Sequence, residues 1–221
     1  MDSLQSFLEH YTLQTYERGD VILQQDSEPA YAYVVKKGTI KTYNLTPRGE
    51  EKPVGFAVRN EFFPLGWIFN KIYKTQYYYE ALSECELFAI PRDELQNFLD
   101  TNRKAMKYVL DKLVWDRLSA EMRINALGQS RASEKVLHTI HYLALCFGRD
   151  LQTDIVEIPL PLTQQDVANF TGLTRETISS ELKKLASREV IFSRNRNYVV
   201  LTDRLNELLD DEYDHRFIRK M

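Results

Sequence analysis

The stretch from Leu95 to Leu127 contains neither proline nor glycine, the two residues that most readily interrupt a helix. Within it, apolar positions alternate at spacings of four and three residues, which is the pattern of a coiled-coil seam. The seam that we assign consists of Met106, Leu110, Leu113, Arg117, Ala120, Ile124 and Leu127. A helix of about 30 residues is about 45 Å long at 1.5 Å per residue, which is more than a small domain can cover. The stretch therefore predicts a dimerisation helix between two domains, and we place it at residues 98–129.

Two other interpretations of this stretch stay open. In the first, the helix packs on its own domain and mediates no dimerisation. In the second, Arg117 marks a departure from the apolar stripe: it either selects the register of the helix pair or indicates that the true seam is rotated toward Val109, Val114 and Leu118.

The chain before this helix has the sequence pattern of short β-strands separated by turns. Turn-forming residues around Gly19, Gly38 and Gly49 separate short runs at intervals of about ten residues. The clearest of these runs are Tyr31–Val35, Thr39–Asn44 and Leu87–Ile90. Even spacing of this kind predicts an antiparallel jelly-roll barrel, which we assign to residues 1–97.

The chain after the long helix has a different pattern. A helix is predicted from about Ser133 to Phe147, ending at Gly148. Leu151–Leu162, in which prolines alternate with apolar residues, reads as an extended linker or an edge strand. We assign these two segments and the chain up to residue 205 to one domain, residues 130–205.

Residues 162–191 read as two short helices separated by a tight turn. Thr163 can cap the first helix together with Asp166 three residues later, and Thr174 can cap the second. Gly172 between them supplies the backbone freedom that the turn needs. Strand, basic turn and strand then occupy residues 190–201, a hairpin that we call the wing. The pattern predicts a winged helix-turn-helix.

The second helix of this motif leaves a polar set on its outward face: Arg175, Glu176, Ser179, Ser180 and Lys183. These side chains, with Arg194 and Arg196 in the wing turn, can reach nucleic-acid bases and phosphates. Residues 163–198 hold six basic and four acidic residues, a local balance of +2. We therefore predict double-stranded DNA as the partner, with a protein-binding module as the alternative.

Composition excludes several other classes of protein. Lys and Arg number 29 and Asp and Glu 32, so any nucleic-acid surface must be local rather than global. Two cysteines are too few for a disulfide framework, a four-cysteine zinc site or a cysteine-ligated iron–sulfur cluster. Residues 11–137 contain no histidine, which argues against a cupin-like enzyme. We expect no catalytic residue, no bound metal and no cofactor.

The amino terminus has no basic flank before an apolar run, and no stretch approaches the roughly 18 apolar residues that a membrane span needs. We expect a cytoplasmic protein with no membrane partner.

The recognition-helix signature is Leu-Thr-Arg-Glu-Thr-Ile-Ser at residues 173–179. With the barrel, the long helix and the wing, it resembles the cyclic-AMP receptor protein and fumarate–nitrate reduction regulators, the Crp/Fnr family, over nearly the whole chain. The resemblance implies an α+β fold with a cyclic-nucleotide-binding-like barrel. It also implies a homodimeric transcription factor that places two recognition helices about 34–36 Å apart on a near-palindromic operator.

The resemblance also implies roles for single residues. Arg175 and Glu176 occupy positions that read base pairs, with Arg suited to guanine and Glu to the cytosine amino group. Thr163, Gln165 and Thr174 match positions that contact the DNA backbone. The family often has arginine where this chain has Ser180, so the operator sequence does not transfer from other members.

The barrel departs from the cyclic-AMP binders of the family. Matching Asn60–Phe63 to the family's segment places Pro64-Leu65 and Thr75-Gln76 at the two pairs that hold the ribose and the cyclic phosphate, and neither the glutamate nor the arginine is present. A buried phosphate without a guanidinium would be poorly compensated. We therefore expect a signal other than cyclic AMP.

The barrel region instead offers aromatic residues and a few polar ones as candidates for an effector pocket: Phe62, Phe63, Leu65, Trp67, Thr75 and Gln76. Three possibilities stay open. The aromatic residues fill the barrel core, they stack on an unidentified small-molecule effector, or the protein needs no effector and is controlled by its abundance.

Residues 206–221 form a predicted C-terminal helical extension, rich first in acidic and then in basic residues. The resemblance implies that an activator would contact RNA polymerase through the loop around Leu151–Pro159, and it leaves activator and repressor open. A non-catalytic dimer that binds a ligand or another protein is the alternative to a regulator.

Overall fold

The structure is a computed structural model that describes residues 2–209. The described residues form two compact units, which divide between Val114 and Trp115. The first unit contains α1 (Asp2–Leu8), β1 (Leu13–Tyr16), β2 (Val21–Leu23), β3 (Ala32–Lys37), β4 (Ile40–Leu45), β5 (Glu51–Ala57), β6 (Phe62–Phe63), α2 (Leu65–Ile68), β7 (Tyr78–Ala81), β8 (Cys85–Ile90) and α3 (Arg92–Thr101). The helix α4 (Arg103–Gly128) has residues in both units.

The strands of the first unit form two four-stranded antiparallel sheets, ordered β1-β8-β3-β6 and β2-β7-β4-β5. This strand order is that of a jelly roll, so the predicted barrel is confirmed. Its sheets enclose a core of buried apolar side chains, among which Val35, Ile40 and Leu87 are fully enclosed. The predicted runs coincide with β3, β4 and β8 because each carries the β-branched and aromatic residues that pack on a pleated surface.

The prediction of one uninterrupted helix from Leu95 is wrong at Asn102. Asn102 has φ −113° and ψ 93°, outside the helical region, and it separates α3 from α4. Its side-chain Oδ1 accepts a hydrogen bond of 3.0 Å from the backbone N–H of Ala105, as an N-cap residue does. Helix α4 is therefore 26 residues long and spans about 39 Å.

The amino-terminal part of α4 is tied to the barrel next to β6. Lys112 Nζ lies 2.5 Å from Glu61 Oε1, and both side chains are largely shielded from solvent. The hydroxyl of Tyr108 donates to the carbonyl of Asn60 at 3.3 Å. Glu61 directly precedes β6, so a shift of this strand would move one partner of the ion pair with Lys112. Because the pair is largely shielded from solvent, its attraction is strong enough to act on α4.

The second unit contains α5 (Ala132–Phe147), β9 (Arg149–Gln152), β10 (Ile155–Ile158), α6 (Gln164–Thr171), α7 (Arg175–Ser187), β11 (Ile191–Arg194), β12 (Asn197–Leu201) and α8 (Thr202–Leu208). Its strands form one antiparallel sheet, ordered β11-β12-β10-β9. The segment predicted as a linker or edge strand begins in β9, which is an edge strand, and continues through the hairpin turn into β10, which lies inside the sheet. An extended stretch then follows to residue 163. Most of the predicted C-terminal extension, from residue 210 on, lies outside the described residues.

Among residues 2–209, no helix combines the length and the apolar character that crossing a membrane requires.

Gly148 ends α5 for a reason that the sequence does not reveal. We predicted a helix C′ glycine, which is commonly left-handed, but Gly148 has φ −66° and ψ 145°. A Cβ at this position would lie 2.0 Å from the carbonyl oxygen of Ala144 and 2.3 Å from Val156 Cγ1. The residue must be glycine because α5 and β10 approach too closely for any side chain.

We predict that Gly148→Ala destabilises the second unit. The added methyl group must displace backbone at Ala144, and overpacking of this kind typically costs about 1–3 kcal/mol. Thermal unfolding followed by circular dichroism measures the loss. The matched control is Gly128→Ala, because a Cβ at Gly128 meets no atom within 4 Å. An equal effect of the two substitutions would contradict this explanation.

Candidate nucleic-acid interface

Helix α6 begins at a reciprocal cap. The backbone N–H of Asp166 donates to Thr163 Oγ1 at 3.1 Å, and the backbone N–H of Thr163 donates to Asp166 Oδ2 at 2.7 Å. The predicted capping box is therefore present, and it satisfies two N–H groups that the first turn of a helix otherwise leaves unpaired. Such a cap is worth about 1 kcal/mol and fixes the residue at which the helix starts.

The turn between α6 and α7 depends on Gly172, which has φ 72° and ψ 21°. In this left-handed conformation its N–H reaches the carbonyl of Ala168 at 2.8 Å, and the next N–H, of Leu173, reaches the same carbonyl at 3.2 Å. Thr174 then caps α7 by accepting a hydrogen bond of 3.2 Å from the N–H of Thr177. The chain changes direction in three residues, as a helix-turn-helix requires.

Helix α7 has one buried side and one exposed side. Ile178, Leu182 and Leu185 are buried, and α7 packs against α5 and α6. On the other side Arg175, Glu176, Ser180 and Lys183 are exposed, whereas Ser179 is half-buried. Within the part of the chain that the structure describes, neither Arg175 nor Glu176 has a hydrogen-bond or ion-pair partner. The first turn of α7 is therefore available to an external ligand.

The wing is the hairpin of β11 and β12. Its two-residue turn consists of Asn195 and Arg196, which have φ 51° and 68°. Positive φ at both central positions is the geometry of a type I′ turn, whose twist matches that of the flanking strands. The side chains of Arg194 and Arg196 are exposed at its tip, and Thr163, Gln165 and Thr174 are exposed at the starts of the two helices.

A buried carboxylate lies beneath the wing. Glu157 in β10 is 5 % exposed, and its Oε2 lies 2.5 Å from Arg149 Nη2. Its Oε1 accepts a hydrogen bond of 3.2 Å from Asn197 Nδ2 at the start of β12. The sequence gives no sign of this group, because its partners lie eight and forty positions away and meet it only through the strand register.

The carboxyl-terminal part of α4 packs against α6 through an aromatic contact. The guanidinium carbon of Arg123 lies 4.0 Å from the centre of the Phe170 ring, a cation–π geometry. Phe170 in turn stacks on Tyr142 of α5, with ring centres 6.0 Å apart. This contact joins the long helix to the first helix of the helix-turn-helix.

The candidate dimer seam is divided between exposed and packed residues. Leu110 and Ile124 are 57 % and 69 % exposed, and Leu113 is also exposed, as are Arg117 and Ala120. Met106 instead packs against the core of the first unit. Of the residues of the rotated seam, Val114 and Leu118 are exposed and Val109 is buried.

The candidate effector residues are mostly enclosed by the barrel itself. Phe62, Trp67 and Leu65 belong to one core cluster, and Phe63, 3 % exposed, belongs to the other. The Phe63 ring stacks between Tyr33 and Tyr79, with centre-to-centre distances of 5.3 and 5.0 Å.

The two polar candidates, which are adjacent in the chain, differ in exposure. Thr75 is buried, and its hydroxyl donates to the carbonyl of Gln24, whereas Gln76 is exposed. The candidates therefore lie in different surroundings, with Phe62, Leu65 and Trp67 in one core cluster, Phe63 in the other and Gln76 at the surface.

Comparison with known proteins agrees with this arrangement. A model described as the cyclic nucleotide-binding domain matches residues 13–102, and a model described as the Crp-like helix-turn-helix domain matches residues 134–208. The nitrogen fixation regulation protein FixK of Azorhizobium caulinodans is 28% identical, with 86% of this chain and 75% of FixK aligned. The HTH-type transcriptional regulator ArcR of Staphylococcus epidermidis is 26% identical, with 90% of this chain and 84% of ArcR aligned.

The fold also resembles that of solved structures. The structure of FixK2 from Bradyrhizobium japonicum superposes with a TM-score of 0.73 at 22% identity, and the alignment covers 90% of this chain and 96% of FixK2. At this identity the likeness concerns the fold alone.

We predict that Glu157 stabilises the second unit only while it is ionised. The hydrogen bond from Asn197 and the contact with Arg149 lower the pKa of Glu157. A carboxyl group with a lowered folded-state pKa adds stability above its unfolded pKa of about 4.3 and loses it as the pH falls through the folded value. Glu157→Gln should therefore lower Tm at pH 7, and its difference from wild type should shrink below about pH 4.

Thermal unfolding between pH 3 and pH 8 measures this difference. Glu28→Gln is the control, because this exposed carboxylate lies outside any helix, has no partner among the described residues and should leave Tm unchanged throughout. A difference between wild type and Glu157→Gln that stays constant with pH would mean that the charge contributes nothing.

Proposed function

Because the chain belongs to the Crp/Fnr family of helix-turn-helix transcriptional regulators, we propose that it is a homodimeric, sequence-specific DNA-binding regulator whose barrel responds to a signal other than cyclic AMP. It acts on DNA in the cytoplasm and is not an enzyme. The observation that carries this proposal is the exposed first turn of α7, where Arg175 and Glu176 have no partner among the described residues.

The chemistry of the exposed turn suits a G·C base pair. An arginine can donate two hydrogen bonds to O6 and N7 of guanine in the major groove, and a glutamate can accept one from the amino group of cytosine. Ser180 is too short to replace an arginine at its position, so we propose an operator that differs from those of members with arginine there. Ser179 and Lys183 lie farther along the helix and complete this surface.

Phosphate contacts would surround this base-reading turn. Thr163, Gln165 and Thr174 lie at the amino-terminal ends of α6 and α7, where helix dipoles favour a phosphate. Arg194 and Arg196 at the wing tip would reach phosphates beside the groove. Such contacts position the protein on the duplex, whereas α7 supplies the sequence preference.

Dimerisation through α4 would place two α7 helices on half-sites about 34–36 Å apart. Large apolar side chains exposed on a single chain support it, since burying them on a second copy removes them from water. These side chains are Leu110, Leu113, Val114, Leu118 and Ile124.

Regulation would pass along α4. Lys112 links its first half to the segment before β6, and Arg123 links its second half to Phe170 of α6. We propose that the signal biases the dimer between a geometry that matches two half-sites and one that does not.

The burial of Phe62, Phe63 and Trp67 favours a barrel whose core is filled by its own aromatic side chains over one that stacks them on a ligand. Control by abundance is therefore the second candidate. A native mass spectrum of protein purified from its host would decide between them by detecting or failing to detect a retained small molecule.

In an activator, RNA polymerase would be a further partner. The exposed turn of the β9–β10 hairpin, residues 152–154, lies in the segment that we propose for this contact.

We predict tight, salt-sensitive binding to the protein's own promoter, measured by fluorescence anisotropy against a shuffled duplex of the same length. Arg175→Ala should weaken binding by about 1–3 kcal/mol and relax the preference at one base pair per half-site. Arg196→Ala is the comparison, because loss of the proposed phosphate contact at the wing tip should weaken binding to all sequences alike. Equal affinity of the wild-type protein for both duplexes would refute sequence-specific recognition.

We predict that Leu110→Glu and Ile124→Glu convert a dimer into a monomer, because each places a charge in the proposed apolar interface. Analytical ultracentrifugation measures the mass. Tyr73→Glu is the control, since Tyr73 is 92 % exposed in the barrel and lies outside α4. Dimers that persist in both α4 variants would place the interface elsewhere.

A further inference from the structure

One face of the sheet in the second unit carries a group of polar side chains that lie outside α7. Directly opposed residues on neighbouring antiparallel strands lie on the same face. Glu157 pairs with Arg149 on β9 and with Val199 on β12, and Arg194 pairs with Asn197 where the wing closes. Since Asn197 and Val199 are two positions apart on one strand, all these residues share a face. On this face, Asn197 and Arg194 of the wing stand beside one row of side chains that runs from Arg149 on the edge strand β9 through Glu157 to Val199.

Glu157 is the polar centre of this row. One carboxylate oxygen contacts Arg149 at 2.5 Å, and the other accepts the 3.2 Å hydrogen bond from Asn197. A buried carboxylate is costly unless its oxygens are paired, and a paired one restricts the geometry of its donors. The amide of Asn197 is one such donor, and Asn197 directly follows the wing turn. The carboxylate thus restrains the base of the wing.

We propose that Glu157 is a positioning residue for DNA binding, which holds the wing so that Arg194 and Arg196 reach the phosphate backbone. The inference rests on the proposed function, because it assumes that the wing contacts DNA. Glu157 itself touches no DNA. It acts through Asn197, and the ion pair with Arg149 compensates the buried charge.

A positioning role differs measurably from a merely stabilising one. Each phosphate that a protein neutralises adds about 0.9 to the slope of log affinity against log salt. If Glu157 holds the two wing arginines in place, its loss should lower this slope by about 1 to 2 and weaken binding about three- to tenfold at 0.1 M salt. The preference for the operator over a shuffled duplex should persist, because α7 is untouched.

Three variants separate the roles of the contacts. Glu157→Leu removes both polar contacts and keeps an apolar side chain of similar size in the buried position. Asn197→Ala removes the contact with the wing and keeps the ion pair. Arg149→Met removes the ion pair and keeps the hydrogen bond of Asn197, so it serves as the control. We expect Glu157→Leu and Asn197→Ala to lower the salt slope and Arg149→Met to leave it unchanged.

A double-mutant cycle with Arg194→Ala/Arg196→Ala completes the test. In that background Glu157→Leu should cause no further loss of affinity, because the groups that it positions are gone. The same fold-loss in both backgrounds, or the same effect from Arg149→Met, would overturn the proposal. Circular dichroism and Tm establish that each variant is folded.

Hydrogen exchange of the free protein tests the restraint without DNA. Glu157→Leu should speed amide exchange in residues 194–198 and leave α7 unchanged, and an unchanged wing would overturn the proposal. If wild-type protein binds no duplex specifically while Glu157→Leu still loosens the wing, the proposed function fails and the restraint stands. If wild-type protein binds its operator specifically and Glu157→Leu leaves the salt slope unchanged, the positioning role is refuted and the proposed function stands.

Discussion

The surface proposed to bind DNA depends on the hydrogen bonds that the backbone N–H groups make at the starts of α6 and α7 and in the turn between them. A helix start leaves N–H groups without partners, and Thr163 and Thr174 each supply an acceptor at such a start. Gly172 takes the left-handed conformation that lets two N–H groups share the carbonyl of Ala168. These local bonds determine the residue at which α7 begins. As a result, Arg175 and Glu176 lie in its first turn and are exposed, away from the side that packs against α5 and α6.

The same devices explain why this region was predictable from the sequence. Caps, glycine turns and alternating apolar residues act over three or four positions, so their signals survive without tertiary information. The jelly roll was predictable for the same reason, because regularly spaced turn residues separate its longer strands. The features that were missed involve partners far apart in sequence. The packing of Met106 depends on helix docking, and the pairing of Glu157 depends on strand register.

One error and one missing explanation have local causes as well. Asn102 breaks the long helix by capping its second part, and asparagine inside an apolar repeat gives only a weak sign of this role. The helix end at Gly148 was predicted correctly, but the reason for glycine there, the lack of room for a side chain, was not. The residue type was informative in both cases, and the physical reason was available only from the neighbours in space.

The wing turn pairs Asn195 with Arg196, where many hairpins of this kind carry glycine second. An arginine in left-handed backbone conformation is disfavoured by roughly 1 kcal/mol or more relative to glycine. The hairpin therefore gives up intrinsic stability in exchange for a positive charge at its outermost point. Substitution of Arg196 by glycine would relieve this strain but remove one of the two positive charges at the tip, so selection for stability and selection for operator occupancy would favour different residues at this one position.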